Sequence, residues 1–336
     1  MSTESIKLAK PVAGIDWLPG VLAVLLVAIV ARLGSMLFPL VPDVVIALAL
    51  GIILNNTLTL PATLRAGIKF VLKYVLRAAI IGFGAGLSVQ AIVATGASTL
   101  VLVVVIVATS FALGLLLARV FHLTGPIGTL IGAGTAICGG SAIIALSPIL
   151  KAKDEETAYA LTTIFTFNII ALIVYPPLGH AFALGATTFG SWAGTAINDT
   201  SVVVATGYIY SHAAGNVATI VKLTRTVLLV PLAIGISMYA SRGASFSQIG
   251  KTIPWFVVGF VVMAGLNSAG LFTPAVAHGI TTIAAFLIVM VLGAVGLNVD
   301  IGKIRAMGAK PLLVGLLLAT VMSICSISLI HALHIG

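Results

Sequence analysis

GTAICGGSAIIA, Gly134 to Ala145, recurs sixty residues on as GTAINDTSVVVA, Gly194 to Ala205. Each copy is a strongly apolar run interrupted at its centre, by Cys138, Gly139 and Gly140 in the first and by Asn198, Asp199 and Thr200 in the second. Glycine admits backbone conformations closed to other residues, and short polar side chains accept hydrogen bonds from freed amides, so both centres read as helix breaks. Paired breaks at corresponding places in apolar segments are the sequence pointer to a transporter's binding site. The repeat therefore predicts a chain that moves a solute across a membrane.

The rest of the chain fits that setting. Of its 336 residues, 60% are hydrophobic and 7% charged, where soluble domains carry roughly 25% charged residues; the mean hydropathy is +1.24. Residues 1–336 read as one transmembrane domain with a polar cytoplasmic tail at 1–16. The run from Trp17 to Leu37 follows Lys7 and Lys10, lacks a small-residue cleavage site and is long enough to span, so it reads as a retained helix. The formal charge of +9 is not a nucleic-acid signature, because no surface domain exists to carry a basic patch. Cytoplasmic loops of membrane proteins show such a Lys and Arg excess. Cys138 and Cys325 both lie in apolar sequence and imply no disulfide framework. The six histidines are scattered without ligand spacing, and no metal is expected.

Spanning candidates fall at 17–37, 42–56, 68–88, 97–120, 156–176, 216–240, 252–270, 276–297 and 311–334, each near the roughly twenty residues a bilayer requires. The interrupted segments occupy 125–150 and 189–210. The fold class is thus an all-α polytopic membrane protein with about nine spanning helices and two interrupted segments, either re-entrant or full broken crossings. A second repeat orders them. GLSVQ (Gly86 to Gln90) and GLNVD (Gly296 to Asp300) each end one apolar run and precede another, with Pro42, Asn55 and Asn56 before the first and Pro254 and Asn267 before the second. These pairs predict an inverted repeat. One two-fold axis relates all the pairs only if both interrupted segments are re-entrant hairpins. Charge agrees: hairpins with the N-terminus inside place Arg65, Lys69, Lys73, Arg119, Lys151, Lys153, Arg242, Lys251, Lys303, Arg305 and Lys310 in the cytoplasm. The connections at 89–96, 177–188, 211–215 and 271–275 then lie outside, without Lys or Arg.

Irregular backbone at membrane depth persists only where protein or a wet cavity surrounds it. A helix restarting near Ser141 or Ser201 would turn free amides toward the midplane, a setting for an anion. Candidate substrate ligands are Cys138, Gly139, Gly140, Ser141, Asn198, Thr200 and Ser201. Lys222 and Arg225, in KLTR, sit three apart on one helix face about a turn inside the helix expected to start near 216, within the membrane, where a cation is costly and is normally retained for pairing or an ion pathway. Arg225 offers a forked donor set suited to an oxyanion; snorkelling or an ion pair with Asp199 is the structural alternative. Asp199 is the one carboxylate expected within the membrane and the candidate carrier of a coupling proton or ion. Asn168 is a polar ligand candidate or a helix-to-helix hydrogen bond. No HExxH, GxSxG or P-loop occurs, so an enzyme or an ATP-driven pump is not expected.

The run GTAICGGSAIIALSPILKAKDEETAYAL, the following TFNIIALIVYPPLG, and WAGTAINDTSVVVATG with VKLTRTVLLVPL resemble the YeiH-like sulfate exporter family of bacterial inner-membrane proteins, from about Pro42 to the C-terminus. Members more often carry His at the place of Asn198, while Asp199, Thr200 and Ser201 match. The resemblance implies a multi-pass inner-membrane secondary transporter, distantly similar to bile-acid/sodium symporters and cation/proton antiporters. The expected function is transport of a small anion, sulfate or an organic sulfonate or carboxylate, with no cofactor beyond a coupling H⁺ or Na⁺. Expected partners are the anion, membrane lipid and, by analogy, a second copy of the chain. The alternatives are a cation/proton antiporter centred on Asp199 and, from another class, a passive channel or holin-like protein.

Overall fold

The computed structural model describes residues 16–38, 41–123, 125–227, 255–302 and 309–335, and every regular element among them is a helix. In chain order these are α1 (Leu18–Leu37), α2 (Asp43–Thr57), α3 (Ala62–Phe70), α4 (Leu76–Gly84), α5 (Val89–Val120), α6 (Ile127–Ala136), α7 (Gly140–Leu146), α8 (Asp154–Ala181), α9 (Ala186–Ala196), α10 (Thr200–Tyr210), α11 (His212–Val227), α12 (Trp255–Ser268), α13 (Pro274–Asn298) and α14 (Ala309–Ala332). A π-helical turn, Val71–Val75, joins α3 to α4.

Five described helices are long and apolar enough to cross a membrane: α1, α5, α8, α13 and the Leu312–Ala332 part of α14. The expected nine differ for identifiable reasons. α2 and α12 have 15 and 14 residues; the run at 68–88 is divided by the π turn and begins earlier, at Ala62. The span expected at 216–240 is described only to Val227, and starts at His212. Lys7, Lys10, Arg242, Lys251, Pro254, Lys303 and Arg305 lie outside the described residues, as does the side chain of Lys310. α5 begins at Val89 rather than near 97: Ser88 caps it by accepting from Ala91 N at 3.1 Å, and the hydroxyls of Ser98 and Thr99 donate back to Thr95 O. Polar residues that resemble a loop thus continue the helix.

α2 and α13 cross closely because Gly51 faces Gly293 and Gly296; a Cβ on Gly51 would fall 2.5 Å from Gly293 O. The asparagines of the outer repeats serve each other's motif. Asn55 and Asn56 Nδ2 donate to Val299 O at 2.8 and 2.9 Å, and Asn267 Nδ2 donates to Leu87 O at 3.0 Å. Each side chain thereby satisfies a carbonyl at the helix end in the opposite motif.

Both interrupted runs fold back on themselves. Gly125, at positive φ, packs against the Glu156 carboxylate, and Thr157 Oγ1 donates to Ser147 Oγ at 3.0 Å, so the run around α6 and α7 begins and ends beside the first turn of α8. α8 opens with Asp154, Glu155 and Glu156 against its positive N-terminus, Glu156 accepting from Lys153 N at 2.7 Å. The second run begins and ends at the other end of α8. There Tyr210 stacks on Phe189 and His180, with ring centroids 3.8 and 4.3 Å apart, and donates to Leu184 O. α8 is about 42 Å long at 1.5 Å per residue, so two hairpins of roughly ten-residue arms entering from its two ends meet near its middle.

Candidate functional site

The tips touch at Gly139 and Asp199. Gly139 has φ +66°, and a Cβ there would lie 3.3 Å from Asp199 Cα, so only glycine suits both the backbone and the approach. The breaks expose helix ends in mid-protein. The carbonyls of Ala133 and Gly134 are taken by Ile137 N and Gly139 N, and that of Ala193 by Ile197 N, which leaves the carbonyls beyond them for other donors.

α11 supplies those donors. Lys222 Nζ donates to Ile137 O at 2.8 Å, to Ile197 O at 3.2 Å and to Asn198 O. Three acceptors match the three donors of an ammonium. Arg225 Nε donates to Ala136 O at 2.6 Å, Nη1 to Thr195 O at 2.6 Å and Ile197 O at 3.2 Å, and Nη2 to Thr135 O. Both side chains are fully buried, Lys222 at 0% and Arg225 at 1% exposure. The fork expected to face an oxyanion is thus spent on carbonyls of α6 and α9, and no ion pair with Asp199 forms among the described residues. Because α11 starts at His212, both cations sit ten or more residues inside it rather than one turn. Cation at helix C-terminus is the favourable pairing, and here one face of one helix serves two such ends.

The other ends of the breaks carry the polar groups. Asp199 is the N-cap of α10; its carboxylate accepts from Ser201 N at 2.9 Å and from Ser201 Oγ. Asn168, midway along α8, accepts from Asn198 N and Asp199 N, both at 3.2 Å. Asn168 Nδ2 and Asn198 Oδ1 are buried without a hydrogen-bond partner among the described residues. Thr200 is buried at the start of α10. Cys138 packs among Val103, Val107, Ala142 and Val221, an apolar setting. Ser141 lies in α7; its side chain is outside the described set.

A cavity of about 670 Å³ reaches the tips from the end where α8 begins. Gly140, Asp199 and Ser201 line it, whereas Cys138, Asn168, Asn198, Lys222 and Arg225 do not. Sequence reasoning missed further lining groups: Thr162 and Thr166 on α8, Lys69 on α3, and Asn298 and Asp300 at the end of α13. Thr162 and Thr166 are a turn apart on one face, and Thr166 lies two residues before Asn168, the available signal for a polar stripe. Nothing local to Lys69 or Asp300 places them together.

Apolar helices of spanning length, an exterior with exposed residues such as Leu26, Leu33, Ile173 and Ile283, and buried helix breaks define a multi-pass membrane protein. The chain belongs to the family described as conserved hypothetical protein 698, whose model matches residues 19–315. It is similar to a UPF0324 membrane protein of Clostridium tetani, 36% identical over 326 residues covering 91% of this chain and 94% of that protein. A UPF0324 membrane protein of Streptococcus agalactiae is 35% identical over 309 residues, covering 89% and 92%. One of Vibrio vulnificus is 39% identical over 285 residues, covering 84% and 90%. These names state membrane proteins and no solute.

Proposed function

We propose that the protein is a secondary transporter of a small anion, working by alternating access in the bacterial inner membrane with its N-terminus in the cytoplasm. The observation that carries this reading is the charge at the hairpin tips: two fully buried cations, Lys222 and Arg225, against one carboxylate, Asp199. The two broken helices contribute paired C- and N-terminal ends whose partial charges offset. Among the described residues one positive charge is left in excess at the junction, and low dielectric makes its compensation by an anion favourable. The buried orphan donor Asn168 Nδ2 is a further group in want of an acceptor. Asp199 reaches the cavity and is the group through which an H⁺ or Na⁺ would couple.

Alternating access needs two related halves. Two hairpins entering from opposite ends of α8, and asparagines of each outer repeat bonding the other repeat's motif, support an inverted repeat with re-entrant hairpins. Sulfate, an organic sulfonate or a carboxylate fits the charge. Homodimerisation belongs to the same proposal. Cation exchange centred on Asp199 is the second reading, favoured by the presence of Asp199 and Asp300 in the cavity beside a single Lys69.

Heat denaturation of the purified protein in a panel of oxyanions tests the first reading. Sulfate, methanesulfonate or acetate raises the midpoint over chloride at equal ionic strength, and Ser201→Ala reduces the rise; indifference to every anion contradicts it. Stabilisation by Na⁺ or Li⁺ instead, lost in Asp199→Asn, selects the second.

A further inference from the structure

Arg65, Lys69, Lys73 and Arg77 recur at steps of four along α3, the π turn and α4. In an unbroken α-helix each such step drifts by about 40°, and three steps carry the last cation about 120° from the first. The π turn Val71–Val75 bonds residue i to i+5 and rotates less per residue, so it cancels much of that drift. The four cations therefore form one stripe about 18 Å long at 1.5 Å per residue. Arg65, Lys69 and Lys73 are exposed and Arg77 is half-buried; Lys69 also borders the cavity.

The stripe lies at the membrane boundary. Trp17, the residue before the spanning helix α1, stacks on Phe70 with ring centroids 4.6 Å apart. Trp255, the first residue of α12 and 56% exposed, has its ring centroid 5.9 Å from the Arg77 guanidinium carbon, and the rings of Phe256 and Tyr74 stand 5.8 and 6.0 Å from the same atom. Tryptophan at helix ends marks the headgroup level. The three rings attract the Arg77 cation without neutralising it. Among the described residues the only ion pair is Arg32 with Asp43, so Asp16, beside Trp17, pairs with none of the four cations. Of the chain's eight Asp and Glu residues, Glu4 alone lies outside the described set.

We propose that this stripe docks an anionic phospholipid, its phosphate between Lys73 and Arg77 and an acyl chain along the outer face of α12. Charge complementarity carries the headgroup: basic clusters at a membrane edge bind anionic lipid with a gain of about fivefold per Lys or Arg. The surface beyond it carries the chain. From Trp255 the exposed apolar face continues through Val258 and Val262, 55% and 53% exposed, at spacings of three and four. A soluble phosphate gains nothing from that face, whereas a lipid covers it. The inference is independent of which solute the protein carries.

The test is quenching of tryptophan fluorescence by brominated lipids, with the full chain reconstituted in phosphatidylcholine bilayers. Trp17 and Trp255 report from the stripe, while Trp192 is buried. Brominated phosphatidylglycerol is expected to quench at a lower mole fraction than brominated phosphatidylcholine with the same chains, a preference of about fivefold or more. Lys73→Gln and Arg77→Gln each lower that preference, and the double substitution removes it. Lys73 is exposed, so Lys73→Gln decides the matter even where Arg77→Gln does not fold. Equal quenching by the two lipids in the parent, or a preference unchanged in every variant that folds, overturns the inference. Loss of the preference on adding inorganic phosphate at constant ionic strength assigns the stripe to a soluble phosphate and overturns it as well.

Discussion

Arg225→Met is the perturbation whose outcome follows most closely from the geometry. Among the described residues the guanidinium is the only side-chain donor to Thr135 O, Ala136 O and Thr195 O, while Ile197 O is shared with Lys222. Methionine fills similar volume and donates nothing. Three buried carbonyls lose their partner at about 1–3 kcal/mol each, and the loss of a cation facing two helix C-termini adds up to about 2 kcal/mol. The total, about 3–11 kcal/mol, is comparable with the whole stability of a typical domain, about 5–15 kcal/mol. Arg225→Met is therefore expected to give little monodisperse protein on size exclusion and a midpoint lowered by about 6 °C or more where any folds, at roughly 2–4 °C per kcal/mol. Arg225→Lys retains the charge without the fork and falls between. A variant that elutes as the parent does and melts within about 2 °C of it would refute the assignment of Arg225 as the cap of both hairpins.

Other consequences can be checked independently. Asn168→Ala removes the acceptor of two buried amides and is expected to cost about 1–3 kcal/mol net, read as a lower melting midpoint, whereas Asn168→Asp keeps the acceptor and most of the stability; equal midpoints for Ala and parent would contradict the contact. Gly51→Val drives a branched side chain into the Gly293 and Gly296 backbone and is expected to destabilise by at least about 1–3 kcal/mol, with no loss at the open position Gly265→Val as the comparison. In a background lacking Cys138 and Cys325, Lys153→Cys and Ala183→Cys are expected to react with a membrane-impermeant maleimide from opposite sides of the membrane. Labelling of both from one side would rule out hairpins entering from opposite faces.

The hairpins were legible because the two GTAI copies put helix-breaking chemistry at the same offset, and because Gly139 and Asp199 are residues whose local behaviour is strong. The reciprocal asparagines were legible as matched positions, though not as contacts. What the basic pair on α11 does was not legible. KLTR shows two cations on one face, but their acceptors are carbonyls from two hairpins more than twenty residues away, and backbone acceptors leave no residue-type signal. The start of α5 was misplaced because Thr95, Ser98 and Thr99 lower the apolarity of the run while hydrogen-bonding into the helix itself. The cavity draws on α3, the π turn, α4, α7, α8, α10 and α13, a juxtaposition set by tertiary packing alone.

Current across proteoliposomes on a solid support tests most directly whether the hairpin junction transports an anion. A panel of sulfate, alkyl sulfonates and carboxylates, at constant ionic strength, is expected to evoke a current from at least one anion that saturates with its concentration and is reduced in Ser201→Ala. A current linear in concentration would indicate a channel, and silence toward every anion, with a response to Na⁺ or H⁺ gradients abolished by Asp199→Asn, would contradict the account in favour of cation exchange.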